Sequence, residues 1–421
     1  MQDTRRVLSV TLPYLCFEIT DGAIRMLVTL TFHQMGFTGF QIAGLFILYE
    51  IAGVLTNFVG GWLGSNFGLE KILIAGLVLQ VLATAMMVVP TDDLTVLYVM
   101  VTQGLSGVAK DLVKVSSKTS LKFIIPDKSN SALFRWVATI TGSKNALKGL
   151  GFVVGGLMMA SIGMRVGMGL MSIALAAGVL LTVPALPKDL GRSPKRLDLW
   201  SQFQKPRAIN VLSGARFFLF GSRDVWFVIG LPIFLQEGLG WSFELVAGFL
   251  GLWIVGYGLS QTGVSRVFDG RALTASLGRT AVALWAAALV VFPLGIALGL
   301  SAGLNPAVLI VLGLLAYGLF FAVNSILHSF LVLAYSDHKK AASDVGFYYM
   351  ANAGGRLTGT LLSGWVYETQ GFVGCLLWSA GFLVAAAGIS LFLPPIPGAG
   401  PSSGGPGGGQ GAGGRAAGPV A

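Results

Sequence analysis

The sequence has few charged side chains for its length, because Asp, Glu, Lys and Arg make up 11% of its 421 residues. An ordinary soluble domain carries about 25%. Hydrophobic residues make up 54%, and stretches of about 20 apolar residues, each long enough to cross a bilayer, recur between residues 8 and 393. This composition excludes a water-soluble globule and predicts a protein that crosses the lipid bilayer many times.

Cysteine and histidine are also scarce, with two and three residues. Cys16 and Cys375 lie in separate apolar stretches, which argues against a disulfide framework or a thiol site for a soft metal. His33, His328 and His338 lie on different segments and form neither a zinc-protease motif nor a catalytic triad. We therefore expect no enzyme, no metal site, no cofactor and no nucleic-acid partner.

Hydropathy and the positions of Gly and Pro predict an all-α membrane protein of twelve transmembrane helices, six in each half of the chain. The first six are predicted at residues 8–33, 40–63, 71–90, 94–117, 131–161 and 166–185. The second six are predicted at residues 208–235, 243–263, 279–300, 306–334, 343–367 and 371–393.

A polar stretch separates the two halves. Its six cations suit a linker at the membrane surface, and they are Lys188, Arg192, Lys195, Arg196, Lys205 and Arg207. The predicted domains are an N-terminal six-helix bundle at 1–186, a cytoplasmic linker at 187–207 and a C-terminal six-helix bundle at 208–395. Residues 396–421 form a tail rich in Gly, Pro, Ser and Ala, which we expect to be disordered.

The distribution of Lys and Arg predicts the orientation in the membrane. If the N-terminus is cytoplasmic, eighteen of these cations lie on the cytoplasmic side and Arg165 alone lies on the opposite side. The positive-inside rule then places both termini in the cytoplasm. We expect a multi-pass protein of the cell inner membrane.

The two halves also resemble each other. GFTGFQIAGL at 36–45 aligns loosely with GWSFELVAGF at 240–249, 204 residues later. Two parallel six-helix repeats are the plan of the major facilitator superfamily. Its usual hinge motif after the second helix, G-x-L-x-D-R-x-G-R-R, resembles GWLGSNFGLEK here, although Ser65 and Asn66 replace the Asp-Arg pair.

Four longer segments are similar to the organoarsenical efflux permeases of that superfamily called ArsJ. They are TDGAIRMLV (20–28), LFRWVATITGSKNALKG (133–149), ARFFLFGSRDVWFVIGLP (215–232) and VGFYYMANAGGRLTGTLLSG (345–364). The resemblance extends over nearly all of residues 5–393. It implies export of 1-arseno-3-phosphoglycerate by alternating access, which confers arsenate resistance. It also implies a functional link to a glyceraldehyde-3-phosphate dehydrogenase, which makes this ester when it accepts arsenate instead of phosphate.

Charged side chains inside the predicted spans are the candidates for a substrate site. Nine are cations and five are acids: Arg25, Lys110, Lys114, Arg135, Lys144, Lys148, Arg216, Arg223 and Arg356, with Glu18, Asp21, Glu50, Asp111 and Asp224. A cation at bilayer depth costs about 2.5 to 3.5 kcal/mol or more unless it faces water or a partner. The excess of cations therefore predicts a wet central site for a small organic anion.

Arg25 and Arg223 lie near the middle of the first and seventh spans, which occupy equivalent places in the two repeats. We expect each guanidinium to bind a tetrahedral oxyanion through two hydrogen bonds. The alternative is structural pairing, of Arg25 with Asp21 and of Arg223 with Asp224 or another buried acid. Arg216 lies two turns before Arg223 on the same face and is either an entry contact or a surface side chain.

Lys144 and Lys148 lie one helical turn apart on the fifth span and therefore share a face. Like charges at this spacing repel unless an anion lies near them, so we expect at least one to contact the substrate. The alternative is a set of salt bridges to Glu18, Asp21 or Glu50. These acids, in turn, either balance the cations or carry protons.

A lysine ladder runs along the fourth span and beyond it, at Lys110, Lys114, Lys118 and Lys122. The inner two are candidates for a funnel that draws anions inward. We expect the outer two to contact lipid headgroups.

Two asparagines add neutral donors to the predicted site. Asn352 shares a face of the eleventh span with Arg356, and Asn324 lies on the tenth. Both asparagines can bind a hydroxyl or carboxylate of the cargo, although hydrogen bonding between helices is the commoner use of such residues.

Two other functions are compatible with these residues. The first is an antiporter of a different organic anion or phosphate ester, which competition between cargoes would reveal. The second is a membrane receptor or scaffold that moves nothing, in which neutral replacement of Arg25 or Arg223 would leave resistance unchanged.

Overall fold

The computed structural model of the chain describes residues 2–37, 39–90, 93–125, 130–193, 198–199, 204–267 and 278–395. In these residues all regular secondary structure is helical, which confirms the predicted all-α class. The first half contains α1 (Gln2–Gln34), α2 (Gly39–Leu45), α3 (Ile47–Phe67), α4 (Leu69–Met86), α5 (Val96–Ile124), α6 (Asn130–Ser161) and α7 (Gly163–Thr182). The second half contains α8 (Arg207–Phe227), α9 (Gly230–Ile233), α10 (Phe243–Val267), α11 (Gly278–Ser301), α12 (Pro306–Tyr335) and α13 (Ala341–Ser390). The predicted tail, 396–421, lies outside the described residues.

These helices make twelve crossings when interrupted helices are followed as one path. α2 and α3 form one crossing with a break at Phe46, and α8 continues through α9 and a π-helical turn, Phe234–Gly238. α13 makes two crossings, because its backbone breaks at Gly371 with φ 68° and ψ −171°. Among the described residues, nine helical segments are long and apolar enough to span a bilayer. The path agrees with the predicted twelve spans, with ends shifted by up to seven residues.

Side chains at the helix ends account for some of these boundaries. α5 begins after Thr95, whose hydroxyl accepts a hydrogen bond from the Tyr98 amide at 3.2 Å. α12 begins after Asn305, whose side chain accepts one from the Val308 amide at 3.1 Å. Such caps satisfy amides that the first helical turn leaves unpaired. Pro306 takes the first position of α12, where no amide hydrogen is needed.

The backbone repeats between the two halves at left-handed glycines. Gly36 follows α1 with φ 87°, and Gly240 follows the π-helical turn with φ 67°, at the same place in the two similar segments. Gly163 separates α6 from α7 with φ 75°, and Gly371 divides α13 with φ 68°. Residues with a side chain rarely adopt such angles. Both halves therefore turn on glycine after their first and fifth crossings, as two repeats would.

The two halves touch closely at the face of the molecule where α1 begins, here called the N-terminal face. α3 crosses α13 at Gly61 and Gly346, and α6 crosses α10 at Gly142 and Gly258. At each of the four glycines an added Cβ would collide with the backbone of the facing helix. Small residues allow this approach without a side chain between the helices. The N-terminal face is therefore closed.

The start of the linker packs against the turn between α3 and α4. Glu70 is buried there, and its carboxylate accepts hydrogen bonds from the amides of Asp189 and Leu190 at 3.0 and 3.1 Å. The Ser193 amide donates to the Ser65 carbonyl at 2.7 Å. The turn that lacks the superfamily's Asp-Arg pair is therefore held by main-chain contacts to the linker.

The end of the linker is fastened to α13. Lys205 forms an ion pair with Asp344 at 3.4 Å and donates a hydrogen bond to the Ser343 side chain. Burial lowers the pKa of Lys205, and the charge of Asp344 opposes that shift. The Ser343 amide donates to the Ser65 hydroxyl at 3.2 Å, so the two halves and the linker meet at one place.

The α3–α13 crossing gives a first prediction. In Gly346→Ala the new Cβ would lie 2.6 Å from the Asn57 carbonyl oxygen and from the Gly61 Cα, so the helices must separate at a cost of about 1–3 kcal/mol. We expect less disulfide formation between Ser65→Cys and Ser343→Cys, introduced in a Cys16→Ser background.

The matched control is Gly354→Ala on the same helix. There the Cβ would meet the Phe217 ring at 3.6 Å, an ordinary contact, so cross-linking should stay at its original yield. Equal cross-linking in the two alanine variants would show that the crossing is not tight.

Candidate functional site

Charged side chains from six helices of both halves converge in the middle of the molecule. They form what we call the central charge network, with five acids and nine cations among the described residues. The acids are Glu18, Asp21, Glu50, Asp111 and Asp224; the cations are Arg25, Lys110, Lys114, Lys118, Lys144, Lys148, Arg216, Arg223 and Arg356. Arg135, counted above among the interior cations, is exposed instead.

α1 and α6 contribute two parallel ion pairs. Lys148 binds the Asp21 carboxylate directly, and Lys144 lies 4.0 Å from Glu18. The two helices approach closely at Gly22 and at Gly151 one turn beyond Lys148, where a Cβ would strike the facing backbone. This approach lets short carboxylate side chains on α1 reach the lysines of α6. In this conformation Lys144 and Lys148 therefore form salt bridges to acids of α1, which was the alternative to substrate contact.

Arg25 pairs with an acid of α3. Its Nη2 lies 3.5 Å from Glu50 Oε1, and its guanidinium lies over the Phe46 and Tyr49 rings at 4.7 and 4.8 Å. Asp21, the partner suggested by helical spacing, is occupied by Lys148 and by the Tyr49 hydroxyl, which donates to it at 2.7 Å. Tyr49 is a network contact that sequence reasoning missed, because no spacing signal points to it.

Asp224 is the buried acid of the second half. It is fully buried and binds Arg223, with Nε and Nη2 at 2.7 and 2.5 Å, and Arg356, with Nε at 2.9 Å. The pairing of Arg223 with Asp224 is thus present. Arg356 Nη2 also lies 3.6 Å from Glu50 Oε1. One guanidinium of α13 therefore connects the acids of the two halves.

α5 contributes Asp111, a buried acid with lysines on both sides. Lys114 binds it directly, and Lys110 lies 3.6 Å from its Oδ2 and 3.8 Å from the centre of the Tyr49 ring. The inner two lysines of the ladder therefore lie in the network. Lys118 does as well, because it is only 7% exposed and donates to the Thr141 hydroxyl at 3.2 Å. The expected lipid contact of Lys118 is wrong, since neighbouring helices cover it.

Arg216 is buried, and no carboxylate in the described part of the chain pairs with it. Its Nε donates to Asn352 Oδ1 at 2.8 Å, its Nη1 donates to the Ser325 carbonyl at 3.3 Å, and it lies 3.7 Å over the Phe220 ring. The expectation of a surface side chain is therefore wrong, and an entry contact with the substrate stays a prediction. Asn324 instead donates to the Trp285 carbonyl of α11 at 2.8 Å, the helix-to-helix use of such a side chain.

The network is wettest where the two halves meet. The side chains of Arg25, Glu50 and Arg356 are 30%, 28% and 32% exposed, whereas Asp21 and Asp224 beneath them are buried. Nine cations against five acids give the network an excess of four positive charges in the described part of the chain. Guanidinium groups beside water, with positive charge in excess, suit a phosphate-like or carboxylate-like anion. Binding of a substrate by these side chains stays a prediction.

Comparison with known proteins places the chain in a family. The model of the Major Facilitator Superfamily matches residues 10–332. No curated protein matches the chain in sequence.

Several solved structures share the fold over almost the whole chain. The human organic anion transporter MFSD10 (TETRAN) superposes with a TM-score of 0.72 at 15% identity, covering 93% of this chain and 100% of that one. A bacterial homologue of the iron transporter ferroportin, in an outward-facing state, gives 0.73 at 12% identity, covering 91% and 98%. The transporter FucP in its outward conformation gives 0.68 at 14% identity, covering 92% and 98%. The likeness extends to the fold alone at these identities.

The pairing of Asp224 gives a second prediction. Asp224→Asn leaves Arg223 buried without a carboxylate, and removing one partner of a buried pair typically costs about 3–5 kcal/mol. We expect a lower Tm of the purified protein in detergent. Arg223→Gln added to Asp224→Asn should recover part of the loss, because it removes the unpaired charge.

Asp189→Asn is the matched control. Asp189 pairs with Arg192 at 3.5 Å, but these side chains are 66% and 54% exposed, so the change should cost about 0–1 kcal/mol. A fall in Tm no larger for Asp224→Asn than for Asp189→Asn would contradict the buried pairing.

Proposed function

This chain belongs to the Major Facilitator Superfamily, and we propose that it exports 1-arseno-3-phosphoglycerate from the cytoplasm by alternating access. It is a membrane transporter of that superfamily. The identity of the cargo, the direction of transport and the location in the inner membrane are parts of the proposal.

One observation carries the proposal. Arg25 and Arg356, one from each half, face the same oxygen of Glu50 at 3.5 and 3.6 Å in the wettest part of the network. A tight charge-assisted hydrogen bond is about 2.7–2.9 Å long, so Glu50 holds neither guanidinium closely. An incoming oxyanion that binds both guanidinium groups bidentately would form shorter and more numerous hydrogen bonds than the contacts that Glu50 gives up. In this proposal, Glu50 contacts the two arginines when no cargo is bound.

The four segments similar to ArsJ supply most of this network. The first holds Asp21 and Arg25, the second Lys144 and Lys148, the third the α8 charges, and the fourth Arg356. The resemblance therefore concentrates on residues that meet in space, although they are up to 335 positions apart in the chain. The cargo itself is taken from the resemblance. The charges would equally accept another phosphate ester, which is the alternative function.

The closed N-terminal face supports the assignment of this conformation to one state of the proposed transport cycle. The glycine crossings shut the side that we assign to the cytoplasm, while Arg25 and Arg356 keep access to water. Both FucP and the ferroportin homologue have outward-facing structures of similar fold. We assign this conformation to the outward-facing state, in which cargo has left and Glu50 has taken its place. Rocking of one half against the other would then open the cytoplasmic side.

Everted membrane vesicles test the proposed function. The ester is generated outside the vesicles by glyceraldehyde-3-phosphate dehydrogenase, its aldehyde substrate, NAD and arsenate. Vesicles containing the transporter should accumulate arsenic as the ester above the level of empty-vector vesicles. Equal accumulation in the two preparations would refute export of this cargo. Competition by excess 3-phosphoglycerate or inorganic phosphate that abolishes uptake would favour the broader phosphate-ester alternative.

Substitutions of the shared guanidinium groups give a further prediction. Arg25→Gln and Arg356→Gln each remove a charge-assisted contact to the cargo, and a loss of about 1.4 kcal/mol already corresponds to tenfold weaker binding. We expect initial uptake at low cargo concentration to fall about tenfold or more. Arg165→Gln, at an exposed cation of the opposite face, should transport normally. Normal uptake by both network variants, at equal expression, would exclude these arginines from the site.

A further inference from the structure

Two buried cations of the network have no carboxylate within 4 Å among the described residues. Lys118 is 7% exposed and Arg216 is 4% exposed. Their hydrogen-bond partners are all neutral: the Thr141 hydroxyl for Lys118, and the Asn352 side chain and the Ser325 carbonyl for Arg216. Burial of a charge without a counter-charge costs free energy, so the burial of both Lys118 and Arg216 needs an explanation.

The two cations each lie beside one ring of a pair of neighbouring tyrosines. Lys118 lies 5.4 Å from the Tyr349 ring centre, Arg216 lies 5.3 Å from the Tyr348 ring centre, and the two rings are 5.1 Å apart. The charge of Arg216 acts against the positive charge of Lys118, and the charge of Glu18 favours it. Lys118 belongs to α5 and Arg216 to α8, so one comes from each half of the molecule.

Both cations are displaced from the rest of the network in the same direction. Lys118 follows Asp111 by seven residues on a helix that ends at the N-terminal face. Arg216 precedes Arg223 by seven residues on a helix that begins there. Seven residues of α-helix rise about 10 Å. The pair therefore lies about that far below the Arg223 level, toward the side that we assign to the cytoplasm.

A small cavity of about 10 Å³ adjoins Lys118, with Thr141, Ser329 and Tyr349 in its wall. This volume holds about one water molecule and excludes a phosphate group. Its walls come from α5 and α6 of one half and from α12 and α13 of the other. Any motion that opens the N-terminal face must therefore enlarge it.

We propose that Lys118 and Arg216 form a second oxyanion site, which opens with the N-terminal face and binds a phosphate-like or arsenate-like group arriving from the cytoplasm. The inference rests on the proposed function, because the ligand is one charged head of the proposed cargo. The oxyanion supplies the negatively charged contact that neither cation has within 4 Å, and Thr141 and Ser329 offer hydroxyl groups beside Lys118. When the halves close, the cavity beside Lys118 shrinks to the size of a water molecule and the anion moves on to Arg25, Arg223 and Arg356.

Thiol protection by inorganic phosphate and inorganic arsenate tests this site without measuring transport. Val332→Cys in a Cys16→Ser background places a thiol on the cavity wall without removing a proposed ligand, and Cys375 stays buried. In everted vesicles, a small membrane-impermeant thiol reagent should label the introduced thiol slowly, as the N-terminal face opens. Millimolar phosphate or arsenate should slow the labelling further, at least threefold.

Variants of Lys118 decide whether the protection comes from this site. Lys118→Met removes the charge and leaves an apolar side chain of similar length, so half-protection should need about tenfold more phosphate. Lys118→Arg should retain protection. Arg135→Gln, which changes an exposed cation of the same face, is the control, and phosphate should protect its thiol as well as in the parent. Absence of labelling, absence of protection, or unchanged protection in Lys118→Met would each overturn the second site.

The outcomes separate this inference from the proposed cargo. Vesicles that accumulate the arsenic ester while the thiol stays unprotected would reject the second site and keep the function. Protection by phosphate in vesicles that do not accumulate the ester would keep the site and reject the cargo.

Discussion

The compensation of charge inside the membrane is the constraint on which the rest of this structure depends. A cation at bilayer depth that has no partner costs about 2.5–3.5 kcal/mol at least. Nine cations of the network lie within the helices. Five carboxylates serve seven of these cations because three are shared: Asp111 between two lysines, Glu50 between two arginines, and Asp224 between Arg223 and Arg356. Most of the pairs join different helices, so the same contacts that neutralise charge also set how α1, α3, α6, α8 and α13 lie against one another.

Hydropathy was sufficient to predict the twelve crossings, because a span needs only length and apolar composition. The charged residues within the spans could likewise be identified from sequence. Some partners could be offered as alternatives, such as Asp224 for Arg223, but the choice among them could not be made, because pairing depends on how helices from distant parts of the chain are rotated. Arg25 meets Glu50 of another helix and not Asp21 one turn away, and Arg216 meets Asn352, which is 136 positions later. Lys118 was misplaced for the same reason, since the position on one helix does not reveal which other helices cover it.

Glycine has a second part in the fold, at the contact between the halves. Gly61 against Gly346 and Gly142 against Gly258 bring backbones together without interlocking side chains. Such surfaces separate without leaving large cavities behind. Around them the polar contacts of Ser65, Glu70 and Lys205 tie the linker to both halves. Among the described residues, the N-terminal face is held by these hydrogen bonds, by the buried Lys205–Asp344 ion pair and by apolar packing across the halves, such as Phe134 against Phe330 with ring centres 5.6 Å apart.

Arg356 has a consequence for how an empty carrier moves. Its side chain binds Asp224 in its own half and lies near Glu50 in the other. In the proposed cycle, rocking of one half against the other would change the distance from Arg356 to Glu50, because the two residues belong to different halves. An anion bound between Arg25 and Arg356 would take over the role of Glu50. The empty and the loaded molecule would then face different barriers to reorientation.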